Sequence, residues 1–314
     1  MKKIYRTDEN VITERTVYEP GSWINLIAPT REEVNEIAMH FDIDLVDLRA
    51  ALDEEESSRV QVEPNYTLVL IDVPLEEMRN NRQAYTTIPL GIILVDDIII
   101  TVCSKENNVL NIFLRNVIKG FSTKKTMRFV YLIILKSGSV YQSYLRLIDK
   151  RRTVIEKRAI EKETENTDLI DLHELESNLV YFSTSLSANM LVLERLTRFE
   201  RLKQYSEDKD YLDDAMIENR QAIEMANIYR IIINGTRELI STIVNNRLNN
   251  VMKLLTSLTL VMSIPTIISG IYGMNVSGKW MPLSNTPYGF YIIVFGIVAI
   301  SILVLITLRR RKML

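Results

Sequence analysis

Thr256, Thr259, Ser263, Thr266, Gly270 and Gly273 recur at alternating spacings of three and four residues. On a helix that period holds them in one seam on a single face. Continued toward the N-terminus, the seam passes through Met252, Asn249, Asn245 and Thr242, while another face carries Ile240, Val244, Leu248, Val251 and Leu255. Two chemistries suit such a seam. Small and hydroxylated residues let helices pack closely in lipid. The same oxygens can line a water-filled pore and meet hydrated ions. Three features favour the pore. The seam continues beyond the apolar segment as amides and hydroxyls. Met252 and Leu255 lie close to it and suit a hydrophobic constriction. And a single helix cannot enclose a pore, which fits the oligomer argued for below.

The element that must carry this seam is a membrane span. No charged residue occurs from Leu254 to Gly278, and Lys279 is the only one before Arg309. Residues 254–274 and 288–308 are each long and apolar enough to cross a bilayer, which takes about 20 residues. Pro265 is expected to kink or loosen the first span one turn before Gly270. Arg237, Arg247 and Lys253 precede the first span and Arg309, Arg310, Arg311 and Lys312 follow the second, whereas the connecting loop holds only Lys279. The excess of basic residues on cytoplasmic flanks places both termini in the cytoplasm and the loop outside, in the cell membrane. The second span, rich in Ile, Val and Leu with Gly296 and Ala299, suits a lipid-facing place outside the ring.

The region before the spans divides in two. "SWINLIAP" reads as a strand ended by Pro29, and Thr30 with Glu33 forms a capping box opening a helix. "YTLVLIDVP" reads as a strand stopped by Pro74, and "TTIPLGIILVDDIIITVC" as a hairpin turning at Asp96-Asp97. From Asn107 the pattern becomes helical, over 107–118, 125–165, 168–205 and 207 onward, with Gly138 and "TENTD" at 164–168 as interruptions. Nothing from Glu207 to Ser263 demands a break, so one helix of about 100 Å is expected at 1.5 Å per residue. A helix that long needs partners, which argues for an oligomeric stalk.

Composition excludes much else. Lys and Arg total 38 against 40 Asp and Glu, which gives no case for nucleic-acid binding. One cysteine, Cys103, excludes an intrachain disulfide, and with only His40 and His173 a zinc site of the usual nitrogen and sulfur type is not expected. The N-terminus "MKKIYRTDEN" lacks the apolar core of a signal peptide. No phosphate loop, nucleophile elbow or metal-ligand spacing points to an enzyme.

The tetrapeptide "YGMN" at 272–275, closing the first of two C-terminal spans, resembles the CorA family of divalent-cation channels. The likeness extends to "NNVMKLLT" at 249–256, to the run from Pro265 to Asn275, to the basic C-terminus and to the order of the soluble part. The resemblance implies a funnel-shaped homopentamer that passes Mg2+, and also Co2+ and Ni2+, inward. Its fold is an α+β cytoplasmic domain followed by a long stalk helix and two C-terminal transmembrane helices. The corresponding segments are a domain at 1–120, a helical region at 121–206, the stalk at 207–252, the pore helix at 253–274, the outer loop at 275–287, the second span at 288–308 and a basic tail at 309–314. Gly273, Met274 and Asn275 would form the outer mouth. Asn249, Met252, Leu255, Thr266 and Gly270 match pore-lining positions, and Thr256, Thr259 and Ser263 complete the seam. The outer loop departs from many relatives in having no acidic residue, and Ser263 stands where some carry methionine.

An acidic run, Glu207, Asp208, Asp210, Asp213, Asp214 and Glu218, opens the stalk. The resemblance implies a regulatory Mg2+ site between subunits, with Asp214 as the stalk ligand. Asp72, Glu76, Glu77 and the "DEEE" at 53–56 are candidate partners. Two other readings stand beside this one: a Zn2+ transporter on the same scaffold, or a non-conducting, membrane-anchored coiled coil.

Overall fold

The computed structural model describes the chain except residues 10, 80–81, 116–117, 119, 162–165, 199–207, 278, 280, 285 and 312–314, and the side chains of 82 and 166. Glu207, the 164–165 part of the expected break and Lys312 thus lie outside the described residues. The chain divides into two compact units, Met1–Arg237 and Glu238–Leu314.

In the first unit, seven strands make one sheet in the order β2-β1-β3-β7-β6-β5-β4. They are β1 (Lys2–Asp8), β2 (Val11–Arg15), β3 (Ser22–Ile27), β4 (Arg59–Val62), β5 (Thr67–Arg79), β6 (Arg82–Val95) and β7 (Ile98–Cys103). Among the described strands, only β3 and β7 pair in parallel. The β1–β2 hairpin was not legible beforehand. The β6–β7 hairpin turns at Asp96-Asp97 as expected.

Pro74 does not stop β5, which runs to Arg79. The register explains why. Asp72 faces Pro89 and Pro74 faces Thr87. These pairs are two residues apart and so share one class of the antiparallel ladder. The Asp72 N–H points away from β6, donating to Asn189 Oδ1 at 2.8 Å. Both prolines therefore stand where a strand N–H would have no partner on the other strand, and neither removes a ladder bond.

Helices cover both faces. The α1 helix (Arg31–Phe41) opens with the expected capping box: Glu33 N–H donates to Thr30 Oγ1 at 3.2 Å and Thr30 N–H to Glu33 Oε2 at 2.9 Å. With α2 (Leu45–Ala50) it seals a core of Ile24, Leu26, Leu68, Leu70, Ile100 and Val102. Alternation along β3 turns Trp23 to the opposite face, where its ring meets Phe129. That face is covered by α3 (Asn108–Leu114), α4 (Thr126–Glu161) and α5 (Asn166–Leu196). The α3 and α5 helices end sooner than expected.

Gly138 does not interrupt α4. A Cβ there would stand 3.0 Å from Glu218 Cγ and 3.5 Å from the backbone nitrogen of Asn219. The glycine is a point of close helix approach, not a break. The helix it admits is α6 (Asp208–Tyr272), 65 residues without interruption and continuing through Pro265. A final helix, α7 (Gly289–Arg310), follows. The observed architecture is an α/β domain, a long helix and a C-terminal apolar helix.

Candidate ion path and metal site

Among the described residues, α6 and α7 are the two helices long and apolar enough to cross a membrane. Their apolar stretches are almost wholly uncovered within the protomer. A buried core helix of a soluble domain would be covered, so these faces are suited to lipid or to other spans.

Coverage along the span is periodic. Besides Ser263 and Pro265, its less exposed residues are Ser257, Val261, Ile264, Ile268 and Tyr272, spaced by three or four. Ile268 and Tyr272 line a cavity of about 650 Å³ together with Tyr291, Val294 and Ile297 of α7. This row is therefore the face toward α7. At about 100° per residue, the seam from Thr256 through Thr259, Ser263 and Thr266 to Gly270 falls roughly on the opposite side, while Gly273, just past the helix end, lines the cavity beside α7. All of the seam except the half-buried Ser263 is exposed, as are Asn249, Met252 and Leu255.

The hydroxyls on this free face are oriented by their own helix. Thr259 Oγ1 donates to the Leu255 carbonyl at 2.9 Å, Ser263 Oγ to Leu260 at 2.8 Å and Thr266 Oγ1 to Met262 at 3.0 Å. With the hydrogen turned back on the backbone, each oxygen keeps lone pairs for an outside donor. Pro265 has no N–H, so the Val261 carbonyl loses its intrahelical donor. At the helix end Gly273 N–H donates to Ser269 O at 2.9 Å and Met274 N–H to Ile271 O at 3.3 Å. Asn275 follows, exposed, its side chain without a hydrogen bond to another described residue.

The acidic run lies in the first unit and divides by role. Asp214 is exposed and lines a cavity of about 360 Å³ with Arg128, Asp210 and Tyr211. Asp208 is tied to Arg128, Nε to Oδ1 at 2.7 Å, with both side chains buried. Glu218 accepts from Ser139 Oγ at 2.9 Å. Arg128 was missed by sequence reasoning. Its signal was a lone cation inside the apolar run "TMRFVYLIIL".

The candidate partners of Asp214 lie elsewhere in the protomer. Asp72 is bracketed by Asn189, which accepts from its N–H and donates to its carbonyl at 2.7 Å, and Tyr141 Oη donates to the same carbonyl at 3.3 Å. Burial pushes the Asp72 carboxyl above the usual range, and a hydrogen bond with Ser185 offsets part of that rise. Glu76 and Glu77 line a separate cavity of about 360 Å³ with Glu106, Asn107, Asn108 and Asn111. Glu76 accepts from Gln83, and Glu77 pairs with Arg79 at 2.5 Å. In the "DEEE" segment, Glu54 pairs with Lys105 at 2.9 Å. Among the described residues no three carboxylate, imidazole or thiol groups converge as a metal site within the protomer.

Comparison with known proteins is consistent across sequence and structure. Residues 19–310 match the family described as CorA-like Mg2+ transporter protein. The cobalt/magnesium transport protein CorA of Methanocaldococcus jannaschii is 29% identical over 307 residues, covering 92% of this chain and 90% of that protein. The protein of the same description from Thermotoga maritima is 23% identical, covering 98% of this chain and 87% of its own. The complete structure of the CorA magnesium transporter from Methanocaldococcus jannaschii superposes with a TM-score of 0.84 at 24% identity, over 99% of this chain and 98% of that one. These relatives are transporters, not enzymes.

Proposed function

The chain belongs to the CorA family of Mg2+ transporters, and we propose that it is a divalent-cation channel admitting Mg2+, and also Co2+ and Ni2+, down the electrochemical gradient. The observation that carries this reading is the seam on α6. From Thr256 to Gly270 it lies roughly opposite the row that meets α7, is exposed apart from the half-buried Ser263, and leads to Gly273, Met274 and Asn275. Several copies of α6, five by family resemblance, enclose a path with these faces inward and α7 outside toward lipid. Both termini are cytoplasmic and the 275–287 loop is external, following the flanking basic residues.

The chemistry suits a hydrated dication. Mg2+ sheds its waters reluctantly and favours oxygen ligands. A hexahydrated ion turns hydrogens outward, so it needs acceptors along its way. The lone pairs of Thr259, Ser263 and Thr266 supply them, and a ring of Asn275 amide oxygens holds the ion at the mouth without a fixed charge to trap it. Met252 and Leu255 form the apolar constriction toward the cytoplasm, with Asn249 below. An inside-negative potential drives entry with about 2.3 kcal/mol per charge per 100 mV, twice that for a dication.

Internal Mg2+ regulates the path. Asp214 is the stalk ligand of an inter-subunit site, completed by carboxylates of a neighbouring copy; Glu76 and Glu77, at the surface of β5, are better placed for that than Asp72. Bound metal holds the subunits in the closed arrangement, and its loss lets the carboxylates repel.

The test is uptake into proteoliposomes of Mg2+, Co2+ and Zn2+ by the full chain and by Asn275→Ala. Mg2+ and Co2+ uptake by the wild type, lost in the variant, is expected. Unchanged uptake by Asn275→Ala removes the mouth assignment. A wild type that conducts Zn2+ alone, or no cation, overturns the channel as proposed.

A further inference from the structure

The residue just before the Gly273-Met274-Asn275 tripeptide makes a contact that its position in the span does not require. Tyr272 is the last residue of α6, on the row that faces α7. Its hydroxyl donates to the carbonyl of Pro282 at 2.9 Å, ten residues further on. That bond closes the outer loop on itself, and Asn275 lies within the closed segment.

The carbonyl that receives the bond is held in a fixed place. Leu283, next to Pro282, has φ of 65°, the left-handed region that a branched side chain seldom adopts. The Leu283 carbonyl accepts from Thr286 twice, from its N–H at 3.3 Å and from Oγ1 at 2.8 Å. Ser284 Oγ donates to Met281 O at 3.0 Å, and Gly289 N–H to Thr286 O at 3.0 Å. Tyr288 is again left-handed, at φ 75°. A Cβ on Gly289 would lie only 2.1 Å from the Leu283 carbonyl oxygen, so the knot closes only with glycine there. Strained backbone with this many local bonds persists where the surrounding structure over-determines it. It presents a rigid acceptor to the tyrosine.

We infer that Tyr272 is a positioning residue for the ion mouth: its hydroxyl latches the outer loop to the end of α6 and so fixes where Asn275 points. The inference rests on the reading of Asn275 as the site that meets the hydrated ion. Asn275 has no side-chain bond of its own to another described residue. Among the described residues its placement comes through the backbone, and the Tyr272–Pro282 bond is a contact that bounds that stretch. A ring of amides can bind an ion only when its members converge; a loosened loop keeps the path open but spoils the ring.

The experiment is Mg2+ uptake into proteoliposomes across a range of external Mg2+, with wild type, Tyr272→Phe, Pro282→Ala and Asn275→Ala. Tyr272→Phe keeps the ring in its cavity and removes one oxygen. A lost neutral hydrogen bond is worth about 1 kcal/mol, so the half-saturating Mg2+ concentration is expected to rise about fivefold, with the maximal rate near wild type. Pro282→Ala retains the acceptor carbonyl and is expected to behave as wild type. An unchanged half-saturating concentration in Tyr272→Phe overturns the latch. So does a loss of maximal rate and thermal stability with that concentration unchanged, since that marks a purely structural role. If Asn275→Ala takes up Mg2+ as wild type does, the mouth assignment fails instead, which is a separate result from failure of the latch.

Discussion

Arg128 on α4 and Asp208, the first residue of α6, meet at 2.7 Å between Nε and Oδ1, with both side chains more than nine-tenths out of water. The Arg128 guanidinium also lies over the Tyr211 ring, 5.0 Å from its centroid. This contact fixes the start of α6 against the α/β domain. Removing one member of a buried pair strands the other charge, which typically costs about 3–5 kcal/mol. Arg128→Ala should therefore lower the thermal midpoint of the detergent-solubilised chain by several degrees. Arg128→Met with Asp208→Leu should recover most of that loss, because two apolar groups of similar volume strand no charge. An Arg128→Ala melt equal to wild type would show that the pair contributes little.

One turn and a half further along α6, Asp214 shares a cavity with Arg128, Asp210 and Tyr211. If Asp214 senses Mg2+, a fixed ammonium at that position should stand in for the metal. Asp214→Lys is expected to close at lower internal Mg2+ than wild type. The check is cation flux in proteoliposomes whose internal Mg2+ is clamped at a series of concentrations. A closing concentration identical to that of wild type excludes Asp214 as a ligand.

Asp72 gives a pH signature. Its carboxyl titrates above the usual range because burial disfavours the charged form, with Ser185 offsetting part of that effect. The folded state therefore holds the proton more tightly than the unfolded chain. Asp72 contributes most to stability below the unfolded carboxylate value, about 4, and that contribution is lost as pH rises through the folded value. Asp72→Asn has no proton to lose. The difference in melting temperature between variant and wild type should grow from pH 4 upward and then level off. Parallel melting curves across that range would mean that Asp72 ionises freely.

Much of this arrangement was legible in the sequence, because it follows from local rules. The capping box at Thr30 and Glu33, the hairpin at Asp96-Asp97, the two apolar spans and the period of the α6 seam each depend on residues close together in the chain. What was missed depends on residues far apart. Pro74 reads as a strand end unless the register with β6 is known, since only pairing reveals that its absent N–H had no partner there. Gly138 reads as a helix break until Glu218 of α6 is seen against it. At the candidate metal site the sequence yields the acidic residues but not Arg128, 80 positions from Asp208, which neutralises one of them. Nor does it order the candidate partners: Asp72 is turned into contacts with α4 and α5, while Glu76 is exposed.

Asn178 is a test of the helical layer itself. It lies on α5 at 1% exposure, and neither Oδ1 nor Nδ2 has a hydrogen-bond partner among the described residues. Asn234 Oδ1 on α6 is likewise buried without one. The two helices run antiparallel, since Ser183 meets Asn227 at 3.5 Å and Glu176 meets Arg237 at 3.0 Å. That ladder sets residue 178 level with 234, so two short amides lie at the same level of the layer. A buried polar group left unbonded costs about 1–3 kcal/mol, and leucine has the same number of side-chain heavy atoms, branched at the same carbon, without that penalty. Asn178→Leu is therefore expected to raise the melting temperature of the full chain in detergent, whereas a surface change such as Ser177→Ala should leave it unmoved. A fall in melting temperature would show that the amide is satisfied in solution, and the α5–α6 layer would then be held by polar contacts at this level.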